Sequence, residues 1–270
     1  MNRDIRFGCV FWHEDGEIPS ILKKAKKWEL DFVEVCLDYP WPDQFSEDEI
    51  SATKKALTEI EIDVAFHGPL GGVLLFHPRK EMVNAAAEIH KKCLKFVASL
   101  KPLYYNLHVK THSLELRIKG NKGIALQNCI NGLDELIELA QKLDIRLLVE
   151  NSTTTGYLVP FQELLPRKID FNLDVGHWFA GKRGYEKLEK LVNLLEGRIA
   201  LLHLHDCKFQ EVPIKDHIPL GEGDVNFNRV FKILKKRGIP MMALEIRSKE
   251  ARLLNQNLSM AKNLMHGAFS

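Results

Sequence analysis

Residues 170–206 read "DFNLDVGHWFAGKRGYEKLEKLVNLLEGRIALLHLHD". Two short β-rich apolar runs, "DFNLDVGH" (170–177) and "ALLHLHD" (200–206), flank an amphipathic stretch, "YEKLEKLVNLLEG" (185–197). That stretch closes on Gly197, the residue type that ends helices in the left-handed conformation. Strand, helix and strand in this order imply parallel strands joined by a crossover helix. Both strands end in ionisable groups. Asp174 closes the first, with His177 three residues on, and His203, His205 and Asp206 close the second.

The same unit recurs along the chain. The other strand candidates are "IRFGCVF" (5–11), "FVEVCL" (32–37), "DVAFHG" (63–68), "YYNLHV" (104–109), "RLLVEN" (146–151) and "MMALEIR" (241–247). Apolar residues at helical spacing mark 81–100 and 126–143. The helix at 226–238 opens on a capping asparagine, Asn226 or Asn228, and ends on Gly238. Eight strand–helix units without a Pro/Gly-rich linker predict an α/β protein. It is expected to be one domain over residues 1–270, folded as a closed (β/α)8 TIM barrel and not an open doubly wound sheet. No GxGxxG or Walker loop follows an early strand, which argues against nucleotide binding. "GPLGG" (68–72) is a turn without the Lys-Ser/Thr of a phosphate loop.

Composition agrees. The chain has 270 residues, 45% hydrophobic and 27% charged, which suits one large core. A net charge of +2 neither demands nor excludes nucleic acid. Five dispersed cysteines without CxxC spacing argue against a disulfide framework and predict a reducing cytoplasm. The N-terminus lacks the apolar region of a signal peptide, and no run reaches the roughly 18 apolar residues of a membrane span, so no membrane partner is expected.

In such a barrel the active site forms at the C-terminal ends of the strands. Glu34 lies in the second strand. His67, His108, Glu150 and Asp174 end the third to sixth, His203 and His205 the seventh, and Glu245 the eighth. Asp216 and His217 follow the seventh in a loop that turns on "GEG" (221–223), where Glu222 is expected to cap or hydrogen-bond the turn. A lone strand-end histidine is usually a hydrogen-bonded turn residue. Seven of eight strands bringing a carboxylate or imidazole to one rim is a different matter. Burying that many ionisable groups is costly unless cations neutralise them. Mixed His, Asp and Glu ligands suit zinc, manganese or iron(II). Trp12, Tyr39, Trp41 and Trp178 stand near these ligands, either as packing or as an apolar wall that stacks on a sugar ring or an unstacked base.

The motifs "LLVENSTTTG", "NLDVGHWFAG", "LLHLHDCK", "HIPLGEGDVNF" and "LEIR", in that order, resemble the xylose isomerase-like TIM-barrel superfamily. That group holds sugar isomerases and epimerases and also endonuclease IV, which cuts DNA at abasic sites. The resemblance implies a core divalent ion held by Glu150, Asp174, His203 and Glu245. The two glutamates would flank the carbon that loses or gains a proton, with His177 on the substrate. Trp12, Trp178, Glu34 and His205 are the other substrate-binding candidates. In an endonuclease IV, His67 and His108 would hold a second zinc, Glu150 would bridge, and His177 and His217 would hold a third. One to three Zn2+ or Mn2+ ions are therefore expected.

The chain departs from the nuclease pattern at Lys215, where Asp-x-His is expected and Asp216 is displaced by one. It departs again at Leu70, at "LHVKTH" (107–112), and in the acidic loop "DYPWPDQFSED" (38–48), a poor partner for phosphates. Some epimerases have an arginine where Phe209 stands; Lys208, Lys215 or Arg247 would have to replace it. The leading expectation is a metal-dependent isomerase or epimerase acting on a sugar or sugar phosphate, compatible with a homo-oligomer. The alternative is an endonuclease IV-like enzyme acting on DNA.

Overall fold

A computed structural model describes residues 5–109, 114–153, 158–234, 237–247 and 249–269. In chain order the elements are β1 (Arg6–Phe11), α1 (Ile18–Lys27), β2 (Phe32–Cys36), α2 (Glu47–Ile60), β3 (Asp63–His67), α3 (Lys80–Ala98), β4 (Tyr105–His108) and α4 (Asn121–Lys142). They continue with β5 (Leu147–Glu150), α5 (Leu158–Leu164), β6 (Asp170–Asp174), α6 (Val175–Ala180), α7 (Tyr185–Leu194) and β7 (Ile199–Leu204). The chain then forms β8 (Asp206–Lys208), β9 (Lys215–Ile218), α8 (Phe227–Leu234), β10 (Met241–Leu244) and α9 (Ala251–Phe269). Eight strands close a barrel in the order β1, β10, β7, β6, β5, β4, β3, β2. Neighbours are parallel all the way round, and β8 and β9 form a separate antiparallel hairpin. The expected (β/α)8 TIM barrel is the fold.

Side chains alternate in and out along each strand. Outward residues such as Val33, Val64, Leu107, Val149 and Leu202 join the large core between strands and helices. Inward residues form a second cluster of Val10, Phe32, Ala65, Tyr104, Leu148, Leu201 and Ala243. The Phe32 ring enters because residue 8 is glycine; a Cβ there would lie 2.5 Å from the ring. Two residues further along each strand, the same inward face presents Trp12, Glu34, His67, Asn106, Glu150, His203 and Glu245. The apolar plug thus forms the floor of a polar mouth. Each fully buried Leu or Phe contributes roughly 1.5–3 kcal/mol, which offsets the cost of the polar layer above.

Several boundaries differ from the sequence reading. The run 170–177 stops being a strand at Asp174, whose Oδ1 accepts the His177 N–H at 2.6 Å and caps α6. β7 ends at Leu204, and Asp206 opens the hairpin. α7 ends at Leu194, and Gly197 takes φ 73° in the turn that follows. The capping asparagine of α8 is Asn226, whose Oδ1 accepts the Arg229 N–H at 3.0 Å. Residues 110–112 of "LHVKTH" and 154–156 of "LLVENSTTTG" lie outside the described residues. All five cysteines are free and buried. Among the described residues no helix is long and apolar enough to cross a membrane.

Candidate metal centre

The ends of β5, β6, β7 and β10 bring Glu150, Asp174, His203 and Glu245 together, with ligating atoms all within 4.8 Å of one another. His203 Nδ1 lies 3.0 Å from Glu245 Oε2, 3.4 Å from Glu150 Oε2 and 3.9 Å from Asp174 Oδ2. None of these four side chains is more than 3% exposed. Glu150 Oε1, Asp174 Oδ2, His203 Nδ1 and Glu245 Oε2 have no hydrogen-bond partner among the described residues. Buried polar atoms are nearly always satisfied, so four that converge without partners fit a cation between them.

The other side of His203 explains its orientation. Its Nε2 lies 2.9 Å from Glu34 Oε2, so the ring proton sits there and Nδ1 presents its lone pair to the mouth. Glu34 also accepts from the Tyr104 hydroxyl at 2.7 Å and from Asn106 Nδ2 at 3.3 Å. A carboxylate behind a ligating imidazole fixes its tautomer and raises its basicity. Glu34 was expected to touch substrate; the structure places it beneath the ligands, with both oxygens engaged.

A second group adjoins the first through Glu150. His67, His108 and Glu150 also offer ligand atoms within 4.8 Å. His67 Nε2 lies 3.3 Å from Glu150 Oε2, and His108 Nε2 lies 3.3 Å from Oε1. His67 Nδ1 donates to the Gly68 carbonyl at 2.7 Å, leaving Nε2 as the lone-pair nitrogen. Asn106 and Asn172 both donate to Glu150 Oε2 and hold it in place.

The charges are strongly coupled. Burial pushes the Glu150 carboxyl up, but His108 and His203 outweigh it and hold it well below the usual carboxylate range. Glu245 is held low in the same way by His203 and His217. In return burial lowers the rings, yet Asp174 lifts His177 and Glu34 lifts His203 well above the ordinary imidazole value. His67 and His217 rise to about 9 against burial, chiefly through Glu150 and Glu245 respectively. The same carboxylates that favour a proton on these rings would favour a divalent ion, which competes for the same lone pairs.

His177, His205 and His217 also cluster, but their geometry does not suit one ion. The His205 and His217 rings stack with centroids 4.2 Å apart and planes 7° from parallel. A metal must lie in the plane of each imidazole that binds it, and two stacked planes share no such point. The hydrogen bonds agree. The His217 backbone N–H points at His205 Nδ1 at 2.9 Å. The same nitrogen lies 3.2 Å from the Asp206 carbonyl. A backbone N–H can only donate, so Nδ1 is the acceptor and the proton sits on Nε2, which faces Asp174 Oδ1 at 3.1 Å. His205 braces Asp174 and the hairpin from below and is fully buried. Its ring fills the place of a side chain at residue 176: a Cβ on Gly176 would lie 2.1 Å from it.

His217 sits at φ 54°, unusual for a residue with a side chain. Its carbonyl accepts the Arg247 N–H at 3.0 Å, and its Nε2 reaches to 3.5 Å from Glu245 Oε1. Asp216 Oδ1 is 3.1 Å from His217 Nδ1, while Lys215 pairs with Glu211. The "GEG" turn is held by Asp206, whose carboxylate accepts from the backbone of Gly221, Gly223 and Val225. That is the role expected of Glu222.

Among the aromatic candidates, Trp12 meets the His217 ring edge-on at 5.9 Å. Trp178 does not line the mouth: it is 1% exposed in the outer core, its indole N–H donating to the Gly184 carbonyl. Phe209 stacks on Phe179. Lys208 pairs with Glu211, and Arg247 lies by Glu14 and over the Trp12 ring. Tyr104, Asn106, Asn151 and Asn172 were not singled out from the sequence. Asn106 and Asn172 stand two residues before His108 and Asp174, so strand alternation marks them.

A model of the xylose isomerase-like TIM barrel family matches residues 22–264. The chain belongs to that family. Over 130 residues it is 27% identical to the uncharacterized protein MJ1614 of Methanocaldococcus jannaschii, a match covering 46% of this chain and 49% of that one. The chain thus spans about half the length of that relative. The crystal structure of a D-tagatose 3-epimerase-like protein superposes with a TM-score of 0.80 at 18% identity, covering 98% of each chain. The structure of an L-ribulose 3-epimerase gives 0.75 at 14% identity, covering 98% of this chain and 95% of the other. At these identities the likeness shows the shared fold of the family.

Proposed function

We propose that this family member is a divalent-metal-dependent isomerase or epimerase acting on a carbonyl sugar. The observation that carries the reading is the pair Glu150 and Glu245. Both are buried, both are held ionised, and they approach His203 Nδ1 from strands on opposite sides of β7. A divalent ion held by Glu150, Asp174, His203 and Glu245 would supply Lewis acidity to a substrate carbonyl. Epimerisation needs a proton taken from one face of the adjacent carbon and returned to the other. Two carboxylates on either side of the mouth can accept and deliver that proton. His177, held by Asp174, can donate to a substrate oxygen. Epimerases among the solved structures of this fold support the reading.

The test is exchange of the α-proton of a ketose with solvent deuterium by metal-loaded protein. Exchange should be lost in Glu150→Gln and Glu245→Gln, with metal content measured alongside. Undiminished exchange in either variant rejects the reading.

One observation favours a second reading. Glu150 stands between two ligand groups, as a carboxylate that bridges two ions does, and such a pair can activate water for phosphodiester hydrolysis. Incision of a duplex carrying one abasic analogue, without deuterium exchange, would establish the endonuclease IV-like alternative.

A further inference from the structure

Beside the ligand groups lies a cavity of about 470 Å³ between α1, α2 and the end of β2. Two of its lining residues stand next to the ligand groups. Trp12 lines it and meets His217 edge-on, and Cys36, which also lines it, is the next inward position after Glu34. Its size falls in the ~300–1,000 Å³ range of sites that enclose drug-sized ligands, which leaves room for more than one sugar ring. Its wall is mainly apolar. Trp12 and Tyr39 offer aromatic surface, and Ala52 on α2 leaves the space between helix and wall open. Aromatic faces of this kind bind the C–H face of a sugar or another ring. The polar part of the lining is mostly acidic: Glu17, Asp48 and Glu49 line it beside His13 and Thr53, and no lysine or arginine among the described residues does. A phosphate in this space would face three carboxylates against the one imidazole of His13, which is unfavourable.

The geometry points to a substrate subsite here. The cavity takes an uncharged, ring-sized substituent of the carbonyl sugar whose reacting carbon lies at Glu150 and Glu245. The substrate is then a substituted ketose, such as a ketose disaccharide, in preference to a free or phosphorylated monosaccharide. This rests on the isomerase or epimerase reading above.

The experiment is calorimetric titration of metal-loaded protein with fructose, fructose monophosphate, and two ketose disaccharides with free carbonyls, isomaltulose and lactulose. At least one disaccharide should bind about tenfold or more tighter than fructose, and fructose monophosphate more weakly than fructose. Ala52→Trp fills the cavity away from the ligands. It should cut the disaccharide advantage to about twofold or less and leave fructose binding and metal content unchanged. Tyr39→Ala, at a 58% exposed position, should reduce the same advantage. The subsite is overturned if fructose monophosphate binds best, if neither disaccharide outbinds fructose, or if both variants keep the full advantage. Deuterium exchange, read separately, tells the two readings apart. Disaccharide preference without exchange on any sugar rejects the reaction and leaves the subsite. Exchange on fructose without disaccharide preference rejects the subsite alone.

Discussion

His205 lies flat beneath His217, with the two imidazole centroids 4.2 Å apart and the planes 7° from parallel. That stacking rules out one ion shared by the two rings, and both His205 nitrogens face protein groups, Nδ1 the His217 N–H and Nε2 Asp174 Oδ1. His205→Ala should therefore leave the number of bound ions per chain unchanged. It should weaken the ion at Asp174 by about tenfold, the low end of what loss of an outer partner costs. Elemental analysis with chelator competition measures both quantities. Loss of one whole ion per chain would show that His205 does bind metal and that the stack opens.

Glu34 holds the Nε2 proton of His203 at 2.9 Å and is itself held by Tyr104. Glu34→Gln removes the charge while keeping the shape. Metal affinity at the core group should fall by roughly 10–100-fold. The metal-free protein should unfold within a few degrees of the parent. A variant that binds metal as tightly as the parent would mean that His203 is oriented by the backbone alone.

Much of this was legible before the fold was seen. The strand ends were readable because barrel chemistry collects there, and Glu150, Asp174, His203 and Glu245 do meet in space. The layer beneath was not legible. Asn106 and Glu34 look alike as polar residues in apolar runs, and only the closed barrel shows that Asn106 Nδ2 donates to Glu34 and Glu150 together. Trp178 misled because nearness in sequence to His177 is not nearness of facing. They are adjacent on α6, so their side chains leave the helix about 100° apart. Asp206 was read as one more rim carboxylate, and its hold on the "GEG" turn needs the tertiary contact across 15 residues.

Gly176 is fixed by a ring rather than by its own backbone. A Cβ there would stand 2.1 Å from His205 Cε1, far inside contact distance, and the ring is fully buried. Gly176→Ala should destabilise the protein by ~1–3 kcal/mol or more. In a His205→Ala background the same change should be nearly neutral. Urea unfolding of the four proteins in this cycle yields the coupling directly. Equal costs in both backgrounds would place the constraint on the α6 backbone instead.

His90, which belongs to none of the ligand groups, gives the metal-free protein an acid limit of its own. It is buried on α3, with Nδ1 2.8 Å from the Tyr105 hydroxyl. Burial, assisted by the charge of His67, lowers its pKa from 6.5 to about 3. The unfolded chain takes a proton near 6.5 while the folded chain refuses it until about 3. In that window the unfolded state binds more protons, so stability rises with pH. The contribution is complete above pH 6.5 and is lost as pH falls toward 3, at up to ~1.4 kcal/mol per pH unit. His90→Gln keeps an acceptor for Tyr105 and cannot titrate. Urea midpoints of the two metal-free proteins should therefore converge on acidification from pH 7 to pH 4. A constant difference across that range would mean that His90 is protonated in the folded state as readily as in the unfolded one.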